Sequence, residues 1–252
     1  MIDTHVHFWD IDLNIHGWIN RSDRTALKRS FTLDDYVNFQ GKVDGIITIE
    51  AADNHRTLQE TEWIKQHIVN NPYDITIKHM AFIDVLQAPS EFNRQLMAFS
   101  AYSFVCGFRQ IFPETTEFNQ DNLAHFKNNL NVLHEKNHIF NLQMTPVQLL
   151  KVSQIIIDSN VRCVIDHAGM PKLDGPQGRQ QWLDMLQAYA KTSVYFKLTV
   201  TSPEIITSLL QQLTPKQFLI GSNYPVAQQK LADFPEEFVA HNNINAKELF
   251  NF

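Results

Sequence analysis

Apolar, β-branched runs recur at residues 1–5, 43–50, 75–85, 105–112, 139–144, 161–166, 194–200 and 218–222. Between them lie stretches where apolar residues return at helical spacing: 56–69, 91–101, 122–135, 146–158, 178–191, 203–213 and 226–239. Within the first of these, Leu58, Ile64 and Ile68 fall near one face. Pro146 and Pro203 stand where a helix begins, a position at which the missing N–H costs little. Strands that alternate with helices predict βαβ units and a parallel sheet. Ile46-Ile47-Thr48-Ile49 and Cys163-Val164-Ile165 are apolar without alternation, as strands covered on both faces should be. Eight such strands predict a single-domain, TIM-like (β/α)₈ barrel over residues 1–252. An open doubly wound sheet is disfavoured, because no glycine-rich phosphate loop follows the first strand. Residues 10–36 exceed an ordinary βα loop and carry Trp18, Arg21 and Arg24, so they are expected to overhang the catalytic face.

Composition narrows the class without changing the fold. With 44% hydrophobic and 19% charged residues the chain can bury an ordinary core. A net charge of -6 argues against a nucleic-acid partner. No run of about 18 apolar residues predicts a membrane span. The opening residues lack a basic segment followed by an apolar one, so a cytoplasmic location is expected. Cys106 and Cys163 each sit in an apolar run and read as reduced core thiols. A small-molecule substrate is the expected partner, and no pattern in the chain reads as an interface between copies.

In a barrel of this kind chemistry sits at the C-terminal ends of the strands. Those positions hold His5 and His7, Glu50, Asp84, Arg109, Gln143, Asp166 and His167, Lys197 and Thr199, and Asn223. Such groups are costly inside a barrel unless they bind something or each other. His5 and His7 are two apart on a strand, so both imidazoles face one side, as a divalent metal site needs. His167 precedes Ala168-Gly169-Met170-Pro171, a sharp exit that projects it over the mouth. Asp166 alternates to the other side and is expected to hold the loop. Arg109 and Lys197 suit an anionic substrate, or else an internal ion pair with Glu50 or Asp84. His125, His134, His138 and His241 fall on predicted helices or loops and read as surface groups.

These motifs together resemble the amidohydrolase-related branch that contains sugar lactonases and pyrone-dicarboxylate hydrolases. Ile2-Asp3-Thr4-His5-Val6-His7-Phe8-Trp9-Asp10 is similar to that branch's opening. Glu50-Ala51-Ala52 with Glu60-Thr61-Glu62, Gly107-Phe108-Arg109, Asp166-His167-Ala168-Gly169-Met170-Pro171 and Lys197-Leu198 follow in the same order. Gly221-Ser222-Asn223-Tyr224-Pro225-Val226 resembles its Gly-Ser-Asp-Trp-Pro-Val, and Asn245-Ala246 fits its closing helix. The resemblance implies attack of water on the carbonyl of a small, anionic lactone or related cyclic ester. It implies that His5 and His7 bind a metal or polarise the carbonyl, and that His167 assists. Arg109 and Lys197 would hold the substrate, with Gln143 and Trp9 as further contacts. A divalent ion, zinc or manganese, is used by some members and not by others. The departure is Asn223, which stands where the family has Asp and cannot act as a base. The base is then expected at His167 or Glu50. Two other readings follow from Asn223: a catalytically impaired barrel that only binds its ligand, or a decarboxylase or lyase on the same scaffold.

Overall fold

A computed structural model of the chain describes residues 1–199 and 202–252. Its strands are β1 (Ile2–Val6), β2 (Gly45–Ile49), β3 (Thr76–Phe82), β4 (Val105–Ile111), β5 (Ile139–Gln143), β6 (Arg162–Ile165), β7 (Tyr195–Leu198) and β8 (Phe218–Ile220). Each falls on one of the predicted runs with its ends shifted by a few residues; Val200, expected in the seventh, lies outside the described residues. The strands pair in chain order, each parallel to the next. The seam between β8 and β1 is drawn together by loop residues. Asn223 donates its N–H to the His5 carbonyl at 2.9 Å and His7 donates to the Tyr224 carbonyl at 2.7 Å. Gly221 permits this approach, since a Cβ there would stand 2.4 Å from His5 Cβ. The result is a nearly closed, single-domain (β/α)₈ barrel.

The helices are α1 (Leu33–Gln40), α2 (Thr57–Val69), α3 (Pro89–Ala98), α4 (Gln120–Glu135), α5 (Pro146–Ser159), α6 (Pro176–Tyr189), α7 (Pro203–Gln212) and α8 (Glu236–Phe250). Local chemistry sets several starts. Proline opens α3, α5, α6 and α7. At α5, Thr145 and Gln148 form a reciprocal capping box. Among the described residues no helix is long and apolar enough to cross a membrane.

Two expectations are corrected. A capping box between Thr32 and Asp35 starts α1 at Leu33, so the overhanging segment ends before residue 36. Residues 226–239 are not one helix. Pro235 forces Phe234 into an extended conformation (φ -76°, ψ 148°), and α8 begins only at Glu236.

Inside the barrel, the strands supply Ile2, Ile47, Ile49, Met80, Ile139, Val164 and Leu219, one apolar cluster closed below by Ala246, Leu249 and Phe250 of α8. Asn242 of α8 ties this plug to the seam, donating to the Ile2 carbonyl and accepting from the Ile220 N–H. Between strands and helices, Phe108, Phe140, Phe196, Trp182 and Tyr189 fill the larger outer core. The polar positions are thereby left to the upper half.

Candidate functional site

Asp166 is the centre of the upper half. It is fully buried, and Arg109 Nε donates to its Oδ2 at 2.7 Å while Lys197 Nζ stands 3.1 Å from Oδ1. Burial alone would raise its pKa, but Lys197 and Arg109 outweigh that and hold the carboxyl well below the usual range. The expectation that Asp166 points away from the site is thus overturned. Strand β6 ends at Ile165, and the chain enters left-handed conformations at His167 (φ 53°) and Ala168 (φ 55°). Alternation carries Asp166 inward with Val164 while Ile165 faces the outer core, and it lapses only at His167, so that His167 reaches the same site.

Arg109 spends its guanidinium on three neighbours. Besides Asp166 it donates to Glu50 Oε1 at 2.7 Å and to Gln143 Oε1 at 2.8 Å. Burial pushes the Glu50 carboxyl up, and Arg109 only partly offsets this. Glu60 of α2 stands behind. One of its oxygens accepts the Ala51 and Ala52 N–H groups at 2.7 and 3.0 Å, which fixes the exit of β2. Burial, with the Glu50 charge nearby, pushes Glu60 up to about 8, so it stays protonated at neutral pH.

The histidines form a second group. His7 Nδ1 faces the Ile49 carbonyl at 3.0 Å; a carbonyl only accepts, so this nitrogen carries the proton and Nε2 keeps its lone pair. His5 Nε2 lies 3.1 Å from that lone pair. His5 Nδ1, buried and without a hydrogen-bond partner among the described residues, stands 3.7 Å from Asp166 Oδ1. The His167 ring centroid is 4.9 Å from that of His5, and its Nδ1 pairs with the Thr199 hydroxyl at 2.8 Å. Burial keeps all three neutral: His5 is driven well below the ordinary histidine range, His7 down to about 3 and His167 to about 4.

Above these groups opens a cavity of about 700 Å³. Its floor is His7, Glu50, Arg109, Gln143, His167 and Asn223; its walls are Trp18, Arg24, Ala51, Ala52, Asp53, Asn54, His55, Ile111 and Val226. The overhanging segment is latched to the exit of β2. Both Asp53 oxygens accept the Gly17 N–H at 3.1 and 3.2 Å, the Asp53 N–H returns to the Ile15 carbonyl at 2.7 Å, and Trp18 Nε1 donates to the Ala51 carbonyl at 2.6 Å.

Of the residues expected at the site, His7, Glu50, Arg109, Gln143, His167 and Asn223 meet in the cavity floor, and His5 packs directly beneath. Lys197 lies lower still, fully buried against Asp166. Trp9 is placed differently. It is sealed inside the overhanging segment, donates to the Arg29 carbonyl at 2.7 Å and packs on Trp18 and Phe31, so Trp18 rather than Trp9 reaches the cavity. Asp84 also lies outside the lining and accepts from Gln110 and the Leu86 N–H. Asp53, Asn54 and His55 are additions that no motif signalled, because a turn after a strand has no period to read.

The donor set does not fit a protein-held divalent ion. His5 and His7 offer two nitrogens at a chelating separation, but catalytic zinc takes three protein ligands. Among the described residues no group of three His, Cys, Asp or Glu could hold a metal. The Asp166 carboxylate is covered by two cations, and Asn223 brings no charge.

Comparison with known proteins agrees with this architecture. The amidohydrolase of Burkholderia multivorans, solved with bound zinc, superposes with a TM-score of 0.77 at 17% identity, covering 100% of this chain and 99% of that one. Amidohydrolase 2 of Bifidobacterium longum subsp. infantis gives 0.72 at 22% identity over 99% and 98% of the two chains. A candidate 2-pyrone-4,6-dicarboxylic acid hydrolase of Pseudomonas putida gives 0.64 at 16% identity over 99% and 97%. At such identities the likeness speaks to the barrel alone. No curated protein matches the chain. The amidohydrolase family model, however, matches residues 2–243, from the first strand through most of the closing helix, and the chain belongs to the amidohydrolase family.

Proposed function

We propose that the protein hydrolyses a small lactone or related cyclic ester. The observation that carries this reading is the convergence of His7, Glu50, Arg109, Gln143, His167 and Asn223 on one cavity floor. The candidate 2-pyrone-4,6-dicarboxylic acid hydrolase among the structural neighbours supports the choice of a cyclic ester.

In this reading His167 is the general base. It is neutral at pH 7, and when its Nδ1–H donates to Thr199, Nε2 is free to take a proton from water. Hydroxide adds to the ester carbonyl, the ring C–O bond breaks, and the His167 proton passes to the departing ring oxygen, leaving a hydroxy acid. Asn223 cannot take a proton; its amide orients water or the leaving oxygen by hydrogen bonds. Arg109 and Gln143, locked together, present fixed dipoles and N–H groups to the carbonyl oxygen as it gains charge. Lys197 acts from below by pinning Asp166 and, through it, Arg109. No step needs a bound metal.

Purified protein offered five- and six-membered lactones, with and without added Zn²⁺ or Mn²⁺, should release acid measurable with a pH indicator. His167→Ala should slow that release by about 10²–10⁴-fold. Absence of turnover on every member of the panel would sink the lactonase reading.

A further inference from the structure

The cations expected to hold an anionic substrate are spent within the barrel. Arg109 and Lys197 face Glu50 and Asp166, two positive charges against two negative ones, and Lys197 is closed off from the cavity altogether. Arg24, in the cavity wall, is in another position. Its nearest carboxylate is Asp23 Oδ2 at 3.7 Å, beyond hydrogen-bond distance. Both Asp23 oxygens already accept from Arg21, each at 3.2 Å. Arg24 Nε is shut off from solvent and has no hydrogen-bond partner among the described residues. The side chain is 35% exposed and lines the cavity, so a ligand carboxylate can meet the guanidinium there and form the charge-assisted hydrogen bonds that Asp23 does not.

The surroundings hold Arg24 in place and limit what it can meet. Its guanidinium carbon stands 5.9 Å from the centroid of the Trp18 ring, and Trp18 is itself anchored to the Ala51 carbonyl. The remaining wall carboxylate, Asp53, is occupied by the Gly17 N–H. Ile111 and Val226 complete the mouth with exposed apolar surface. The opening therefore presents a guanidinium that no carboxylate among the described residues hydrogen-bonds, beside an aromatic face and an apolar edge, while the polar floor lies deeper.

We infer that Arg24 is a specificity residue that binds a free carboxylate on the substrate, remote from the carbonyl under attack. The ligand class is a cyclic ester bearing a carboxylate, its ring lying between Trp18 and the Ile111–Val226 edge. This rests on the cavity being the active site as proposed above, and it names the group that selects the substrate there.

The test compares γ-butyrolactone-γ-carboxylate with its uncharged methyl ester, by calorimetric titration for binding and by acid release for turnover. A hydrogen-bonded charge pair predicts that wild type binds the acid about ten- to a hundred-fold more tightly than the ester. Arg24→Gln should erase the preference, and Arg24→Lys, which keeps the charge and loses the planar fork, should retain part of it. Thermal melts of both variants verify folding. Equal affinity for acid and ester in wild type, no binding of either, or an undiminished preference in Arg24→Gln would each overturn the inference. Preferential binding without turnover would instead overturn the lactonase reading and leave Arg24's role standing. Turnover of both compounds without preference would do the reverse.

Discussion

The same strands build two halves of the barrel that hold opposite things. Below, Ile47, Met80, Ile139, Val164 and Leu219 pack against the apolar end of α8. Above, towards the C-terminal ends of the strands, sit His5, Glu50, Arg109, Asp166 and Lys197, all buried. The lower half is what stability alone would select, since each buried apolar side chain contributes about 1.5–3 kcal/mol. The upper half takes charges out of water, and even a well-paired buried ion network is often no more stabilising than an apolar replacement of the same shape. Retaining it therefore points to chemistry, and the two halves should respond differently to mutation.

The largest effect is expected from matched lesions. Asp166→Asn strips two buried cations of their partner and should cost about 3–5 kcal/mol. Leu219→Ala, in the lower half, should cost about 2–5 kcal/mol through the cavity it leaves. Urea denaturation would find the two comparable. Turnover by the folded fraction would not: it should be lost in Asp166→Asn and kept in Leu219→Ala. Equal losses of turnover would mean that the upper half is structural too.

The two halves were also unequally legible in the sequence. Apolar runs marked the strands, and their C-terminal ends picked out Arg109, Gln143 and Lys197, all three of which lie within regular strand or at its last residue. Alternation counted back from His167 misplaced Asp166, because His167 is already left-handed; counted forward from Val164 inside and Ile165 outside, it puts Asp166 inside. Trp9 was visible as part of a motif, but whether an aromatic in a long irregular segment packs inward or lines a cavity depends on tertiary contacts that no period encodes. The same holds for Asp53, whose latch to Gly17 joins segments 36 residues apart.

A smaller effect separates site from scaffold within the upper half. His167→Ala should lower kcat/KM by about 10²–10⁴-fold. Stability should change little, because this side chain is only partly buried and its hydrogen-bond partner among the described residues is a single hydroxyl, that of Thr199. With His167 drawn down to about 4, wild-type activity should stay level from neutral pH downward and fall only near pH 4. An acidic limb near 6.5 would indicate a different base.

Acid stability compares His7 and His167 with His79, a buried histidine of β3 that packs on Thr48 and Phe104, away from the cavity. Burial draws His7 and His79 down to about 3. The unfolded chain takes up protons near pH 6.5 while the folded one resists, so stability is full above pH 6.5 and falls below it. Each such histidine adds about 1.4 kcal/mol per pH unit to the slope between pH 6.5 and its folded value. Removing His79 by His79→Gln should lower that slope by one histidine's share in urea titrations at pH 6 and pH 4.5, leaving turnover per folded molecule untouched. His167→Ala should lower the slope and the turnover together.

The smallest effect expected is from metal removal. His5 and His7 supply two nitrogens, Asp166 is covered by Arg109 and Lys197, and Asn223 lacks the charge that would help hold a dication. A divalent ion placed there would add its charge to a cluster whose cations and carboxylates already balance, and no group of three His, Cys, Asp or Glu among the described residues is set to hold it. Dialysis against a chelator, followed by assay with and without Zn²⁺ or Mn²⁺, should therefore change kcat/KM by less than about twofold, a free-energy difference under about 0.4 kcal/mol. In Asn223→Asp the new carboxylate would give His5 and His7 an anionic partner, so added metal should acquire a measurable effect there, read both as turnover and as metal bound per chain. A wild-type enzyme inactivated by chelation and restored by zinc would reverse this reading, making the histidine pair a metal seat completed by substrate or water.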